Sequence, residues 1–541
     1  MADDNLIRID TTKAAVAGDA ADTDELHRLG YPQLLHRGLT GFRNMGVAFS
    51  IICIIGGVSL TYGLGMSDGG PADLFWGWIV VAVLILALGS AMAEVCSSYP
   101  TSGGLYYWSA KLARRNAAAW AWFTGWFNVL GQIAGTAGAS FGAAFFINAF
   151  GQLQGWWKVT TGTTVAAYVI ATVAIGIVVT FGRKLVGIIG AISVWWNTGF
   201  AFAMIIGLIF VPSHHTSVHD GLLAFHNGTT FHWPLYAALL GLLVGAETFT
   251  GYDACAHLTE ETKQPGVSAP RGMVRAISIA AVLGILMIGA LNFAIQDYTS
   301  EAGGTKTSNP VGDILVDAVG LGFGKIMVAA IAIALLYCVN GNLTSNSRMI
   351  YAFSRDFARA DDGRSHALSK MLSSVHTGSR VPRLAVWVAV LGACLLGVLN
   401  LWSVVAFSAA ITINVIGLYT AYAIPVFLRL RLGDDFQRGP WHLGRWSKLV
   451  GWTAVSWVVF ADILFVLPTT NPVLSLSTFP YTLPVFVVVI GGAALWWQLS
   501  AKKWFVGPRS LGTPEELAEI ERNLGRANAP AAAVPADQVA G

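Results

Sequence analysis

Along most of the chain, apolar positions neither alternate with polar ones nor return at the spacing of a half-exposed helix; they run on without a break. Twelve such runs fall near the ~20 residues that a helix needs to cross the hydrocarbon core of a bilayer. They cover roughly 44–66, 74–95, 117–148, 163–181, 186–211, 234–258, 272–296, 314–347, 384–402, 404–428, 449–468 and 481–501. The pattern predicts an all-α integral membrane protein with twelve transmembrane helices. Runs three and eight are long enough to tilt or to extend past the membrane. Only a short "NLWS" divides runs nine and ten. Flanking polar stretches set off an N-terminal tail (1–43) and a C-terminal tail (506–541) from the helical domain (44–505). In the second tail, "TPEELAEIERNLGR" places Thr513, Pro514 and Glu516 as cap, first-turn proline and capping-box partner, so a short helix is expected. The last stretch, "ANAPAAAVPADQVAG", is too rich in small residues and proline to pack.

Two runs are interrupted from within. The first reads "AFSIICIIGGVSLTYGLG", with Gly56, Gly57 and Ser59 at mid-span. The sixth reads "GLLVGAETFTGYDACAHLTEE", with Glu247, Thr248, Thr250, Gly251 and Asp253. Glycines and hydroxyls there weaken the backbone ladder and leave polar groups that lipid cannot satisfy. These runs lie five apart, so they cross in opposite directions. Interrupted helices at matching places in two oppositely oriented halves point to an inverted-repeat transporter. The halves would cover about 44–211 and 234–430, with helices 11 and 12 (about 449–505) appended. A half-helix N-terminus offers unpaired N–H groups and a positive dipole end to an anion, while the carbonyls of an unwound stretch suit a cation.

Composition and charge sharpen this. With 55% hydrophobic and 12% charged residues, the chain carries more apolar surface than a soluble core absorbs. If the N-terminus is cytoplasmic, 30 of the 33 lysines and arginines fall on the inner side, leaving Lys158, Lys306 and Lys325 outside. Both termini are then cytoplasmic, and no cleavable signal peptide precedes the first run. The basic loop 348–383 is a positive-inside anchor and needs no nucleic acid. The five cysteines show no paired spacing, and the histidines of loop 213–232 (His214, His215, His219, His226, His232) read as a solvated loop, so no metal site is expected. No Walker motif appears. A membrane enzyme would need a nucleophile and base within the spans, whereas the histidines lie mainly in loops and tails, with His257 at a helix end. Lipid-facing and protein-facing apolar surfaces look alike in sequence, so no oligomeric state is assigned.

Several stretches resemble the amino acid–polyamine–organocation superfamily of permeases, most of all its amino acid/choline transporter branch. They are "LHRGLTGFRNMGVAFSIICIIGG", "AMAEVCSSYPTSGGLYYWSAKLA", "GYDACAHLTEETKQPGVSAPRGMVRAI", "SNSRMIYAFSRD" and "GLYTAYAIPVFLRLR". The resemblance implies a LeuT-like five-plus-five inverted repeat with helices 1 and 6 broken. It implies secondary active transport of an amino acid or related amine across the plasma membrane by alternating access, with no cofactor. Proton-coupled uptake leads; sodium coupling, exchange and amine, choline or polyamine transport stay open, and a non-transporting nutrient receptor is the rival class. Proton-linked relatives often carry a lysine inside helix 5, which this sequence lacks.

By the same likeness the substrate carboxylate would meet backbone amides near Ile55, Gly56 and Gly57, with Ser59 close by. Its ammonium would meet carbonyls around Phe249, Thr250 and Gly251. Tyr252 is a gate candidate, and Asp253 occupies a position that is acidic in several relatives, so it is a coupling or gating candidate with a structural alternative. Glu247 departs from relatives that carry an aromatic lid there. It either selects a cationic group or carries a proton, or it is a hydrogen-bonded packing residue. Glu94, Glu260 and Glu261 sit at inner helix ends among Lys111, Arg114, Lys263 and Arg271, as an ion-pair gate or as solvated ends. Asn128 and Gln132 share a helix face, and Asn340 belongs to a polar run in helix 8; each is a pathway candidate with interhelical bonding as the plainer role.

Overall fold

The computed structural model describes residues 11–527 except 303, 305, 308, 358–366, 377–378, 402–403, 470–478, 480 and 509. The apolar runs form helices because a span without water must close every backbone hydrogen bond within itself. In chain order come α1 (Thr11–Arg28), α2 (Gly41–Ile52), α3 (Ile54–Asp68), α4 (Gly70–Ser98), α5 (Gly104–Leu112), α6 (Ala117–Leu153) and α7 (Thr161–Phe181). Then follow α8 (Arg183–Phe210), α9 (Val218–Leu222), α10 (Pro234–Thr248), α11 (Ala254–His257), α12 (Pro265–Phe293), α13 (Tyr298–Ala302) and α14 (Pro310–Val319). The rest are α15 (Leu321–Arg355), α16 (Ala367–Leu372), α17 (Arg383–Val398), α18 (Val404–Leu432), α19 (Ser447–Val466), α20 (Thr482–Leu499) and α21 (Pro514–Ala527). Among the described residues the sole departure from helix and loop is an isolated bridge between Leu39 and Thr262.

The all-helical expectation holds. Among the described residues, ten stretches are long and apolar enough to span a membrane, and two shorter apolar helices, α10 and α17, occupy the sixth and ninth places. The first run splits into α2 and α3. The eighth run also divides, because Gly320 at φ +101° ends α14 before α15 begins. Large apolar side chains such as Phe181, Trp195, Phe210 and Val488 are exposed on the outer faces of α7, α8 and α20, as lipid-facing helices require. The boundary residues "WS" at 402–403 and the last stretch from 528 lie outside the described residues.

At the basic end of the bundle the N-terminal tail folds back as a strap. Gly38 and Leu39 donate their N–H groups to the Glu261 carbonyl at 3.0 and 2.8 Å, and Lys263 N–H returns to the Leu39 carbonyl at 3.0 Å. Tyr31 lies under the Arg355 guanidinium, 3.8 Å from ring centroid to cation. The predicted C-terminal helix is α21, with Thr513 and Glu516 bonded reciprocally as a capping box. It docks on α1 through His27 and Glu521, 2.7 Å apart.

At the other end α13 caps the first span, Tyr298 Oη donating to the Met66 carbonyl at 2.9 Å. Glu301 is fully buried there and accepts from Gln296 N–H. Burial pushes its carboxyl up to about 7. The folded state therefore binds this proton more tightly than the unfolded chain. Stability rises as pH falls from about 7 toward 4.5 and is lowest above that window, by at most about 1.4 kcal/mol per pH unit. Glu301→Gln keeps an acceptor for Gln296. Thermal unfolding of the variant should show a higher Tm than wild type at pH 8 and a flatter dependence between pH 5 and 8; an unchanged pH profile would refute the burial argument.

Candidate functional site

Two helix breaks lie at the centre of the bundle. The first is at Cys53, whose backbone is left-handed (φ 46°, ψ 62°) and which caps both α2 and α3. This places the break three residues before the glycines singled out in the sequence. The first N–H groups of α3, at Ile54, Ile55 and Gly56, have no acceptor within that helix. Gly57 already closes a bond to the Cys53 carbonyl at 2.6 Å. Ile55 N–H turns to Asn197 Oδ1 on α8 at 3.4 Å. The glycines serve packing. A Cβ on Gly57 would lie 2.6 Å from Thr248 Cγ2, and one on Gly56 would lie 2.7 Å from Leu335 Cγ.

The second break unwinds 249–253 between α10 and α11. Gly251 adopts φ +82°, and a Cβ there would meet Ile51 Cγ2 at 2.0 Å. The unwound stretch thus rests on the last turn of α2, and the two breaks face each other. Thr61 and Thr248 hydroxyls, 3.4 Å apart, lie across the same seam. Phe249 is buried with its ring 4.6 Å from Trp78 of α4, and Tyr252 is buried 5.1 Å from the Tyr422 ring. Thr250 Oγ1 donates to the Glu247 carbonyl. Glu247 is half-buried, and its carboxyl makes no hydrogen bond or ion pair with the described residues. Ser59 Oγ is buried without a hydrogen-bond partner among the described residues, while the Ser59 carbonyl accepts from Asn309.

Asp253 is the hub just beyond the break. It is fully buried; Oδ1 accepts from Tyr422 Oη at 2.7 Å, and Oδ2 from Gln132 Nε2 at 2.9 Å and Asn128 Nδ2 at 3.3 Å. His257 Nε2 approaches the same Oδ2 at 3.2 Å. Tyr422 Oη also receives the Gly251 N–H at 3.3 Å. The structure therefore joins Asn128 and Gln132 to Asp253, and adds Tyr422 and His257. Those two were missed, although the Asp253–His257 spacing of one helical turn was a legible signal. Asn340 stands apart from this hub, its Oδ1 buried without a partner.

The three acidic residues at the inner helix ends are paired, but with other partners than their sequence neighbours suggest. Glu94 holds Arg429 at 3.0 Å and also accepts from Ser447. Glu261 holds Arg348 through Nε at 2.7 Å and Nη2 at 3.3 Å. Glu260 lies 3.5 Å from Arg355 and accepts from Ser102 N–H at 3.1 Å. All six side chains are largely buried, and Lys263 and Arg114 instead reach the peripheral Asp19 and Asp435.

With this geometry in hand, residues 42–492 match the amino acid permease family model. The chain belongs to the amino acid permease family. It is 36% identical over 505 residues to the amino-acid permease BAT1 of Arabidopsis thaliana, covering 90% of this chain and 96% of that one. It is 29% identical over 513 residues to the GABA-specific permease of Saccharomyces cerevisiae, covering 92% and 87%. Among solved structures, the Eremococcus coleocola manganese transporter superposes with a TM-score of 0.53 at 15% identity, covering 86% of this chain and 95% of that one. That likeness shows the fold alone, a LeuT-like five-plus-five inverted repeat. This permease is a secondary transporter of amino acids embedded in a membrane, not an enzyme.

Gly251 is the position on which the facing breaks depend most. Gly251→Ala would force a side chain into left-handed space, at about 1–2 kcal/mol, and overpack Ile51, at about 1–3 kcal/mol. The expected result is a clearly lowered Tm and lost transport. Gly491→Ala, where a Cβ meets nothing within 4 Å, should leave both unchanged. A Gly251→Ala protein as stable and active as wild type would contradict the packing described.

Proposed function

We propose that this permease takes up an amino acid across the plasma membrane, driven by the proton gradient, with both termini cytoplasmic. The observation that carries the reading is the apposition of the two breaks. The first turn of α3 offers the amides of Ile54 and Gly56 to a carboxylate, at the positive end of a helix. The carbonyls of Phe249, Thr250 and Gly251 offer a negative surface to an ammonium. Gly251 against Ile51 brings these two surfaces together, so one small zwitterion can replace the backbone partners that both helices gave up. Phe249 and Tyr252 flank the seam as gates, and Ser59, Gly57 and Thr250 line it. The buried pairs of Glu94, Glu260 and Glu261 with three arginines act as the inner gate, with the strap packed on the Glu260 and Glu261 side.

Glu247 sets the choice within the substrate class. A half-buried carboxyl without a partner beside the ammonium end favours amino compounds with a second or distal positive group. The GABA-specific relative lends weight to such an ω-amino substrate. The test is counterflow of a labelled panel into liposomes holding the purified protein: α-amino acids, γ-aminobutyrate, polyamines and choline. We expect saturable flux of amino acids, with choline excluded because it has no carboxylate for α3. Glu247→Gln should lose the cationic and ω-amino members selectively. Flux of choline alone would refute the binding mode; an equal loss across the panel would make Glu247 a packing residue.

A further inference from the structure

The hydrogen bonds around His257 fix where its protons are. Nδ1 lies 3.1 Å from the Ser102 carbonyl oxygen, which only accepts, so Nδ1 carries a hydrogen. A neutral ring protonated at Nδ1 turns a bare lone pair outward at Nε2. Yet Nε2 faces Asp253 Oδ2 at 3.2 Å, with both side chains fully buried. Two lone pairs repel at that distance in a buried site. One further proton must lie between them, on Nε2 or on Oδ2. In either form the pair is neutral overall, which a site without solvent requires, since a lone buried charge is expensive. Among the described residues, no lysine or arginine forms an ion pair with Asp253.

Resting on the proton-driven reading above, we propose that the Asp253–His257 pair is the site that carries the coupling proton, with His257 its essential second half. The pair accepts one proton from one side of the membrane and releases that proton to the other, so its net charge alternates between zero and minus one. Its position links this change to the gate. On one side, Gly251 N–H donates to Tyr422 Oη, which donates to Asp253 Oδ1. On the other, His257 Nδ1–H donates to the Ser102 carbonyl, while Ser102 N–H donates to Glu260, the partner of Arg355. One hydrogen-bonded path thus runs from the unwound stretch to the inner ion pairs. Loss of the shared proton turns the Asp253–His257 contact repulsive. α11, only four residues long, carries His257 in its last turn, so the change is felt directly beside the unwound stretch.

The groups that face the pair are these. From α6 it is met by the amides of Asn128 and Gln132 alone. From α18 comes the phenol of Tyr422, and on its own segment Tyr252 and Cys255 flank Asp253, with Tyr419 and Cys96 behind them. Phenols and thiols hold their protons through the physiological range. The start of α5 adds Gly104, whose Cβ would lie 3.2 Å from the ring, and Glu260 reaches the pair only through Ser102.

The test uses the full-length protein in liposomes with labelled γ-aminobutyrate, glutamate and arginine as probes. Accumulation under an inward proton gradient is compared with counterflow at equal pH, for wild type, His257→Gln and Asp253→Asn. Asparagine stands in for the protonated acid: its Nδ2–H can donate to His257 Nε2 while Oδ1 still accepts from Tyr422, with the Gln132 amide turned to present its oxygen to Nδ2, so it guards against a His257→Gln protein that fails to fold. Both variants should lose gradient-driven accumulation of any probe that wild type concentrates, while counterflow of that probe persists. Gradient-driven accumulation surviving in either folded variant overturns the assignment. Wild-type counterflow without any gradient-driven accumulation overturns the proton-driven reading itself, which is a distinct result.

Discussion

A broken helix inside a bilayer leaves amides and carbonyls that water cannot reach, and the bundle is organised around where those groups find partners. At Cys53 and at 249–253 the ladder opens. Much of what surrounds these points answers the deficit. Asn197 takes the Ile55 amide, Tyr422 takes the Gly251 amide, and Tyr419 Oη donates to the Ala246 carbonyl at 2.7 Å. The groups left over on the two facing edges are of opposite polarity. On the proposed reading, that residue of unmet hydrogen bonding is the basis of recognition and the reason a membrane helix tolerates such a costly interruption.

The same constraint shapes the ends. Paired acids and arginines at the basic end are buried, the strap covering the Glu260 and Glu261 side, where an unpaired charge would cost several kcal/mol. A buried ion pair contributes little net stability but has two distinct states, made and broken. Such contacts suit a gate that must close firmly and also open. If these pairs are the gate and the facing breaks the substrate seam, as proposed, the hydrogen-bonded path from Gly251 through Asp253 and His257 to Glu260 joins the two. Occupancy of the seam and closure of the inner end are then linked by a chain of adjacent groups.

Much of the fold was legible in the sequence, because a run of apolar residues of bilayer length has few alternatives to a spanning helix. Which two helices break was legible too, from hydroxyls, glycines and an acid at matching places in opposed halves. The exact break in the first helix was not. Gly56 and Gly57 drew attention as the flexible residues, yet they pack helices 1, 6 and 8 closely, while the left-handed residue is Cys53. Nothing in a cysteine announces that conformation. The arginine partners of Glu94, Glu260 and Glu261 were hidden for another reason: they come from α15 and α18, and only the tertiary fold brings them near. His257 read as a helix-end residue because its hydrogen-bond partner, the Ser102 carbonyl, belongs to a loop that no local pattern connects to it.

The central claim is that one small zwitterion bridges the two breaks. Its most direct test is a structure of the full-length permease with a transported amino acid bound. Ligand density is expected between the first turn of α3 and the 249–251 stretch, with the carboxylate at the amides of Ile54 and Gly56 and the ammonium at the carbonyls of Phe249 to Gly251. A ligand seated elsewhere in the bundle, or held there with its two ends reversed, would contradict it.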